Sequence, residues 1–450
     1  MQRKIIYLAD DLTGACDTAS YICDYTGEAR VILNFDKGIN SKSVAAEDNA
    51  SLNNFVISTN TRNFNPEDTC LKLEKLGKFL KNTESKMIFK KIDSAFRGNV
   101  VLEINTLMNI FNKNICFVIN SIPSMDRITL GGFQLIKGRL LDESEFRKDP
   151  VKASSSPFIP YLFKENKQSI DSRKACHIFL ETVRYGNLLN AINDEMNKGI
   201  SIFSFDAITN SDIEKIINVI YENFEEALYA GTLGLLEALN KKIFMDSCPD
   251  IKSDKKCHNL ETYNLKEKNK DKEKDFENKG PGFIGITSSK YEITKKQINK
   301  LRKKQGLQIF KLKINDLINK KDNKYISKVD RVSDDIINNS DKKGLFIVTE
   351  FKGKKEPEKL SDMILKIISE VSERTLKSIE FCRLILIGGE TALNILGTFK
   401  VSNIRILGRI IDGISFGIIS DGLLEGKEIL IKGGSVGDTN SVINMVNFEF

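Results

Sequence analysis

The run Lys4-Ile5-Ile6-Tyr7-Leu8-Ala9-Asp10-Asp11-Leu12-Thr13-Gly14-Ala15-Cys16-Asp17 decides how the rest of the chain is read. Ile5 to Ala9 is a short apolar stretch of the kind that forms a buried strand. Asp10 and Asp11 follow at once. Then come Thr13-Gly14-Ala15 and a segment whose small and apolar residues, Ala15, Ala19, Ile22 and Cys23, fall at helical spacing. Strand, acidic turn and helix in that order put both carboxylates beyond the carboxyl end of a strand, where open parallel sheets bind ligands. The positive end of the helix dipole favours their ionised form. An ionised pair there can hold a cation, accept a hydroxyl proton or grip a polyol. Asp and Thr are also ordinary helix N-caps. A cap needs one carboxylate, and this turn has two.

Length and composition bound the answer. A chain of 450 residues, 41% hydrophobic and 29% charged, fits a water-soluble protein of two domains. No long apolar segment and no small-residue cleavage site are present, so neither a membrane span nor a leader is expected, and the cytoplasm is the expected location. The eight cysteines are scattered without a Cys-x-x-Cys, and the histidines number two, each beside a cysteine (Cys176-His177 and Cys257-His258). A structural zinc site and a histidine-based triad are both poorly supplied. The formal charge of +7 is spread along a Lys- and Asn-rich chain with no basic stretch interleaved with aromatics, so nucleic acid is not an expected partner.

Strands and helices alternate along the first half. Ala29 to Leu33, Asn54 to Thr59, Met87 to Ile92 and Ile115 to Ile119 read as strands, and Glu67 to Asn82 has helical spacing. Lys37 to Asn54 and the Ser-rich Val151 to Ile159 read as irregular. His177 to Leu180 and Ser201 to Phe205 are further strands, and His177 reads as structural. Such alternation implies a mostly parallel sheet, with its strand ends on one edge. Those ends carry Asp10 and Asp11, Arg62, and the segment from Lys91 to Arg97. A ligand carboxylate is suited by a guanidinium fork from Arg62 or Arg97. Ligand hydroxyls are suited by Asp10, Asp11 and Asp93, and Gly98 permits close backbone approach. The alternative for Arg97 and Asp93 is that they pair with each other.

These motifs resemble the four-carbon acid sugar kinase family. Ala9-Asp10-Asp11-Leu12-Thr13-Gly14-Ala15 near the amino terminus is similar to its opening signature, and Thr61-Arg62 to its Ser-Arg after the third strand. Lys91-Ile92-Asp93-Ser94-Ala95-Phe96-Arg97-Gly98-Asn99 is similar to its Lys-x-Asp-Ser-Thr-Leu-Arg-Gly-Asn, with Ala95 for Thr and Phe96 for Leu. The chain keeps Pro123, Arg127, Gly131 and Gly132 of a further motif, with Asp126 where Gly is usual. Tyr229 to Leu239 resembles the segment that closes the family's first domain.

Residues 241–281 are expected to be a charged linker or loop, almost wholly Lys, Glu, Asp and Asn from Asn264 to Lys279. Beyond it Gly282 to Thr287, Leu307 to Leu312, Leu345 to Thr349, Leu384 to Ile387 and Glu428 to Lys432 read as strands. Helices are expected from about Glu292, over Ser361 to Ile379, and over Ser441 to Val446. Gly388-Gly389-Glu390-Thr391-Ala392 joins a strand to a helix, where backbone amides can approach a phosphate with the helix dipole behind them. It matches the family's nucleotide signature intact. Gly433-Gly434-Ser435-Val436-Gly437 resembles the family's glycine-rich ending. In the segment Ser288 to Gln297, Ser289, Thr294 and Gln297 keep the family spacing, while Ser288 and Tyr291 depart from it.

The expected fold is α/β, with two domains, each a mostly parallel sheet flanked by helices, and a ligand cleft between them. Residues 1–240 would bind the sugar acid and 282–450 the nucleotide. The resemblance implies a kinase that phosphorylates the terminal O4 hydroxyl of erythronate, threonate or 3-oxo-tetronate, using ATP and Mg²⁺. It implies Asp10 and Asp11 as catalytic residues and Asp11, Arg62, Lys91, Asp93, Ser94, Arg97 and Gly98 as contacts to the acid. It implies Ser289, Gly388, Gly389, Glu390, Thr391, Gly433, Gly434 and Gly437 as contacts to ATP. Metal ligands and a homo-oligomeric state are left open. The competing readings are a catalytically silent sugar-acid sensor, raised by the altered serine segment, and a NAD(P)-dependent dehydrogenase. The dehydrogenase is opposed by the lack of Gly-x-Gly-x-x-Gly after the first strand.

Overall fold

The computed structural model describes residues 5–36, 54–81, 87–144, 146, 154–165, 173–247, 281–317, 325–340, 343–351 and 358–450. The polar segment from 37 to 53, residues 151–153, the charged run 248–280 and Cys257-His258 lie outside them. The chain divides into two compact units. Among the described residues no helix is long and apolar enough to cross a membrane.

The first unit contains strands β1 (Ile5–Ala9), β2 (Ala29–Ile32), β3 (Phe55–Ser58), β4 (Met87–Lys91), β5 (Cys116–Ile119), β6 (Arg127–Leu130), β7 (Phe133–Ile136), β8 (Arg139–Leu140), β9 (Lys174–Ile178), β10 (Ile200–Phe205) and β11 (Leu228–Gly231). Its helices are α1 (Leu12–Thr26), α2 (Pro66–Phe79), α3 (Val100–Ile110), α4 (Ile159–Glu165), α5 (Leu180–Tyr185), α6 (Leu188–Asn197), α7 (Asn210–Asn223) and α8 (Leu233–Ser247). The sheet runs β2-β3-β1-β4-β11-β5-β10-β9, and β6-β7-β8 form a separate antiparallel meander. From β3 to β9 neighbouring strands are parallel. The central strands β1, β4, β5 and β11 are buried at every position, Lys90 and Lys91 at the end of β4 included.

Local signals start the helices. Asn65 caps α2, its side chain accepting from the Asp68 amide, with Pro66 at the first position and Glu67 and Asp68 in the first turn. Leu8, Ile57, Leu73, Ile88, Ile104, Leu107 and Val118 join sheet and helices in one core.

Register sets the edge. Ala9 pairs with Ser58 on one side and with Lys91 on the other. The carboxyl ends of β3, β1 and β4 therefore stop level. The chain leaves β1 for β2 and β3 on one flank and returns to β4 on the other, which makes the end of β1 a topological switch point.

The second unit contains β12 (Phe283–Thr287), β13 (Gln308–Lys313), β14 (Leu345–Glu350), β15 (Arg383–Ile387), β16 (Asn403–Ile411), β17 (Ile414–Ile419) and β18 (Glu428–Lys432). Its helices are α9 (Glu292–Gln305), α10 (Ile314–Leu317), α11 (Tyr325–Asn338), α12 (Glu358–Ser378), α13 (Gly389–Thr398) and α14 (Ser441–Val446). The order is β13-β14-β12-β15-β18-β17-β16, parallel as far as β18 and antiparallel beyond. Phe283, Leu301, Phe346, Ile385, Leu430, Val442 and Met445 form its core.

The expected α/β class holds, with mostly parallel sheets flanked by helices. Two local readings change. The strand expected over His177 to Leu180 is β9, ending at Ile178. Leu180 already opens α5, because the Asp206 carboxylate accepts its amide and gives the first turn a partner. The β16–β17 hairpin was not foreseen, although Asp412-Gly413 between two apolar runs is a turn signal for one.

Candidate active site

At the end of β1 the two aspartates share one guanidinium. Arg62 donates from Nε to Asp10 Oδ2 (2.8 Å) and from Nη2 to Asp10 Oδ1 (2.9 Å). It also donates from Nη1 to Asp11 Oδ2 (2.7 Å) and from Nη2 to Asp11 Oδ1 (2.9 Å). The Arg62 amide reaches the Asp10 carbonyl at 3.2 Å, so backbone and side chain lock the ends of β1 and β3 together. Burial pushes the Asp10 carboxyl up, but Arg62 and then Lys90 outweigh it and hold it below the usual carboxylate range. Burial opposes the Arg62 charge, and Asp10, Asp11 and Asp93 together keep it firmly protonated.

The aspartates differ in what else they do. Asp10 is 2% exposed and gives both oxygens to Arg62. Asp11 also caps α1, accepting from the Gly14 amide (2.8 Å) and the Thr13 hydroxyl (2.6 Å), and its side chain keeps 17% exposure. Asp11 is thus both a cap of α1 and the more exposed of the two carboxylates.

The neighbouring strand supplies the next groups. Asp93 accepts from Arg97 Nε and Nη2, both at 2.8 Å, and from the Ala95 amide at 3.1 Å. Burial opposes its charge, but Arg97 and then Arg62 hold it well below the usual range. Arg62 and Arg97, expected as open forks for a ligand carboxylate, therefore both face aspartates. The alternative pairing of Arg97 with Asp93 is the one present. A buried guanidinium without a ligand needs a counter-charge, and a fork facing a carboxylate satisfies both partners. Lys91, also buried, has no carboxylate in ion-pair range among the described residues and donates to the Ile92 carbonyl (2.8 Å). Burial pulls its pKa down, and Arg62 adds to the pull. Beneath this layer Lys90 and Glu103 form a fully buried ion pair at 2.5 Å.

Ser94 meets Arg127, whose Nη1 donates to its hydroxyl. Arg127 and Arg97 both lie over the Phe146 ring, at 5.4 and 5.3 Å from its centre. Arg127 was passed over as a site residue in the sequence, although it stands in a family motif. Asp126 before it takes φ +54°, a left-handed conformation that Asp tolerates, so the turn keeps its shape where Gly is usual. His177 lies away from this edge, bonded to Ser204 (2.8 Å) and Asp206 (2.9 Å). Asp206 also holds the Gly131 and Gly132 amides of the meander.

Gly98 serves Arg62. Its φ is +91°, and a Cβ there would lie 3.0 Å from Arg62 Cγ and 3.1 Å from the Arg62 carbonyl oxygen. Gly98→Ala is expected to cost about 1–2 kcal/mol from the backbone alone, with a further loss as Arg62 shifts. Urea unfolding against wild type measures it, and an unchanged midpoint would remove this role for Gly98.

In the second unit β15 and β18 end side by side, Ile387 opposite Lys432, and the Gly388 amide donates to the Lys432 carbonyl (2.8 Å). Gly388 takes φ +103° and caps α13, leaving the amides of Gly389 and Glu390 in its first turn. Thr391 turns back to the Ser288 hydroxyl (2.6 Å). Ser289 donates to the Thr294 hydroxyl (3.2 Å), which donates to the Gly434 carbonyl (2.6 Å). Gln297 donates to the carbonyls of Val436 (3.1 Å) and Asp438 (2.6 Å). Ser289, Thr294 and Gln297, the residues that kept the family spacing, thus set the shape of the 433–437 loop. Glu390 is exposed on α13. Gly437 closes the loop against Ser441. Lys432 is fully buried below it, and burial lowers its pKa to about 7. Glycine loops, a helix amino terminus and a buried ammonium suit a polyphosphate. Among the described residues no group of three or more His, Cys, Asp or Glu could hold a metal ion by itself.

Comparison with known proteins agrees with this division. Residues 5–239 match the family model described as a sugar-binding N-terminal domain, and 285–442 match a nucleotide-binding C-terminal domain. The chain is 27% identical over 243 residues to a D-threonate kinase of Salmonella typhimurium, covering 54% of each chain. It is 23% identical over 221 residues to a D-erythronate kinase of Heliobacterium modesticaldum, covering 48% of each. It is 24% identical over 219 residues to a 3-oxo-tetronate kinase of Escherichia coli, covering 47% of this chain and 53% of that one. The chain spans about half the length of the curated relatives it matches. A solved Haemophilus influenzae protein shares the fold, with a TM-score of 0.63 at 18% identity over 97% of both chains. With both models matched in order and the aspartate and glycine motifs each at a strand end, the chain belongs to the four-carbon acid sugar kinase family.

Proposed function

We propose that the protein is an ATP-dependent kinase acting on the terminal O4 hydroxyl of a four-carbon sugar acid such as erythronate, threonate or 3-oxo-tetronate. The observation that carries this reading is the Asp10–Arg62–Asp11 cluster at the switch point of a parallel sheet, with Lys91 at the end of the next strand and Asp93 just beyond it. The names of the relatives support the substrate class.

In this reading Asp11 orients the attacking hydroxyl and takes its proton, and Arg62 with Asp10 fixes it in place. Lys91, which has no carboxylate partner in ion-pair range among the described residues, is the natural contact for the acid's carboxylate. Asp93, Ser94 and the Gly98 turn line the same edge and suit the remaining hydroxyls. Ser289, Gly388 to Thr391, Gly433, Gly434 and Gly437 would hold ATP. Mg²⁺ bound to the phosphates would neutralise charge that develops on transfer. The protein's part is positioning and charge placement, since phosphoryl transfer asks little covalent chemistry of it.

The test is ADP release from Mg-ATP with D- and L-erythronate, D- and L-threonate and the 3-oxo-tetronates. Turnover is expected with at least one of them and at a much lower rate without acid. Folded protein that binds ATP but turns over none of the panel would overturn the four-carbon assignment. Protein that binds an acid and no ATP would favour the sensor reading.

A further inference from the structure

Lys432 is the last residue of β18, and its side chain is fully buried. Among the described residues its ammonium makes one polar contact, donating to the carbonyl of the next residue, Gly433, at 2.7 Å. No carboxylate lies in ion-pair range of it among the described residues. Lys90 shows the usual solution for an equally buried lysine, a carboxylate at 2.5 Å. An ammonium taken out of water without a counter-charge is costly. A fold that only needed to fill this position would be better served by a methionine. Burial is the cause of its lowered pKa, about 7, and this cost is visible there.

The place of this lysine gives the cost a purpose. The Gly433 carbonyl also accepts from the Val436 amide at 3.2 Å, so the turn keeps a bond if the ammonium leaves. Ile387 stands opposite Lys432, and Gly388 bonds to the Lys432 backbone, so the lysine lies at the strand end where α13 begins. The same strand edge carries Ser288 and the 433–437 loop.

We infer that Lys432 is a phosphate-binding residue of the nucleotide site, its ammonium moving from the Gly433 carbonyl to the β-phosphate of the bound nucleotide. The anion supplies the counter-charge that the protein withholds. This rests on the ATP reading above.

Lys432→Met, with Lys432→Gln as a second variant, tests it by calorimetric titration with ADP and with adenosine and by thermal melting. Loss of one charge-assisted contact is expected to weaken ADP about 10- to 100-fold. Adenosine affinity, sugar-acid affinity and the Lys432→Met melting temperature should stay level or, for melting, rise. If both variants bind ADP as wild type does, the role of Lys432 is overturned and the ATP reading stands. If adenosine weakens as much as ADP, or both variants melt early, Lys432 is a tie for the loop and the inference is likewise overturned. Wild-type protein that binds neither ATP nor ADP overturns both readings together.

Discussion

Asp11→Asn is expected to lower kcat by about 100- to 10,000-fold, the range for a positioned acid–base group, while the fold survives. Asn is as good a helix cap as Asp, so the bond from the Gly14 amide persists. The stability cost should stay near 1 kcal/mol, because one of several Arg62 contacts is weakened. KM for the acid should move less than kcat, since in the proposed mechanism the lost interaction is made to the reacting hydroxyl. Asp10→Asn should behave differently. Asp10 gives both oxygens to Arg62 and is almost fully buried, so its variant should lose stability along with turnover. Measuring kcat, KM and the urea midpoint for both separates the roles. Near-normal turnover in both variants would end the assignment of acid–base work to this pair.

Arg62→Met is expected to be the most destabilising single change at the site. It leaves Asp10 and Asp11 without their shared counter-charge, and breaking a buried pair from one side costs about 3–5 kcal/mol. The Arg62 side chain is 15% exposed and that of Asp11 is 17%, which favours the lower end of that range. The loss should depend on pH. In wild type the Asp10 carboxyl sits below its ordinary value, so its contribution is full above about pH 4 and fades as pH falls through the folded-state pKa. In the variant burial acts unopposed by Arg62 and raises it, so acid relieves the strain by protonation. The gap between variant and wild type should therefore be widest at pH 7 and narrow toward pH 4.5. Urea unfolding at both values measures it, on the transition that includes the first unit. A gap that is the same at both pH values would show that Arg62 acts through packing and not charge.

Much of this site is legible without coordinates. Asp10 and Asp11 follow an apolar run and precede helical spacing, so the strand, the turn and the helix are local facts. Asn65-Pro66 marks the start of α2 in the same way. Arg62 and Lys91 to Arg97 could be assigned to the same edge, because alternation of strands and helices implies parallel pairing. The partners of the charged groups could not be assigned. Nothing near Arg62 in sequence says that its fork closes on carboxylates 51 and 52 residues away. Arg97 was the exception, with its partner four residues off, and both outcomes could be named.

What the sequence by itself determined is the alternation of the main strands and helices and the side of the sheet on which chemistry-bearing residues emerge. Period, caps and glycine turns depend on residues a few positions apart, so they survive in the linear order. What only the tertiary structure decided is which charges neutralise one another and which do not. That depends on register between strands far apart in the chain, as when Ala9 aligns with both Ser58 and Lys91. It also depends on burial, which a lysine does not announce. Lys90 and Lys432 look alike as strand residues, yet one meets Glu103 and the other, among the described residues, a carbonyl alone. The cost of a buried charge is set by what the fold brings within about 4 Å of it, and no local pattern encodes that distance.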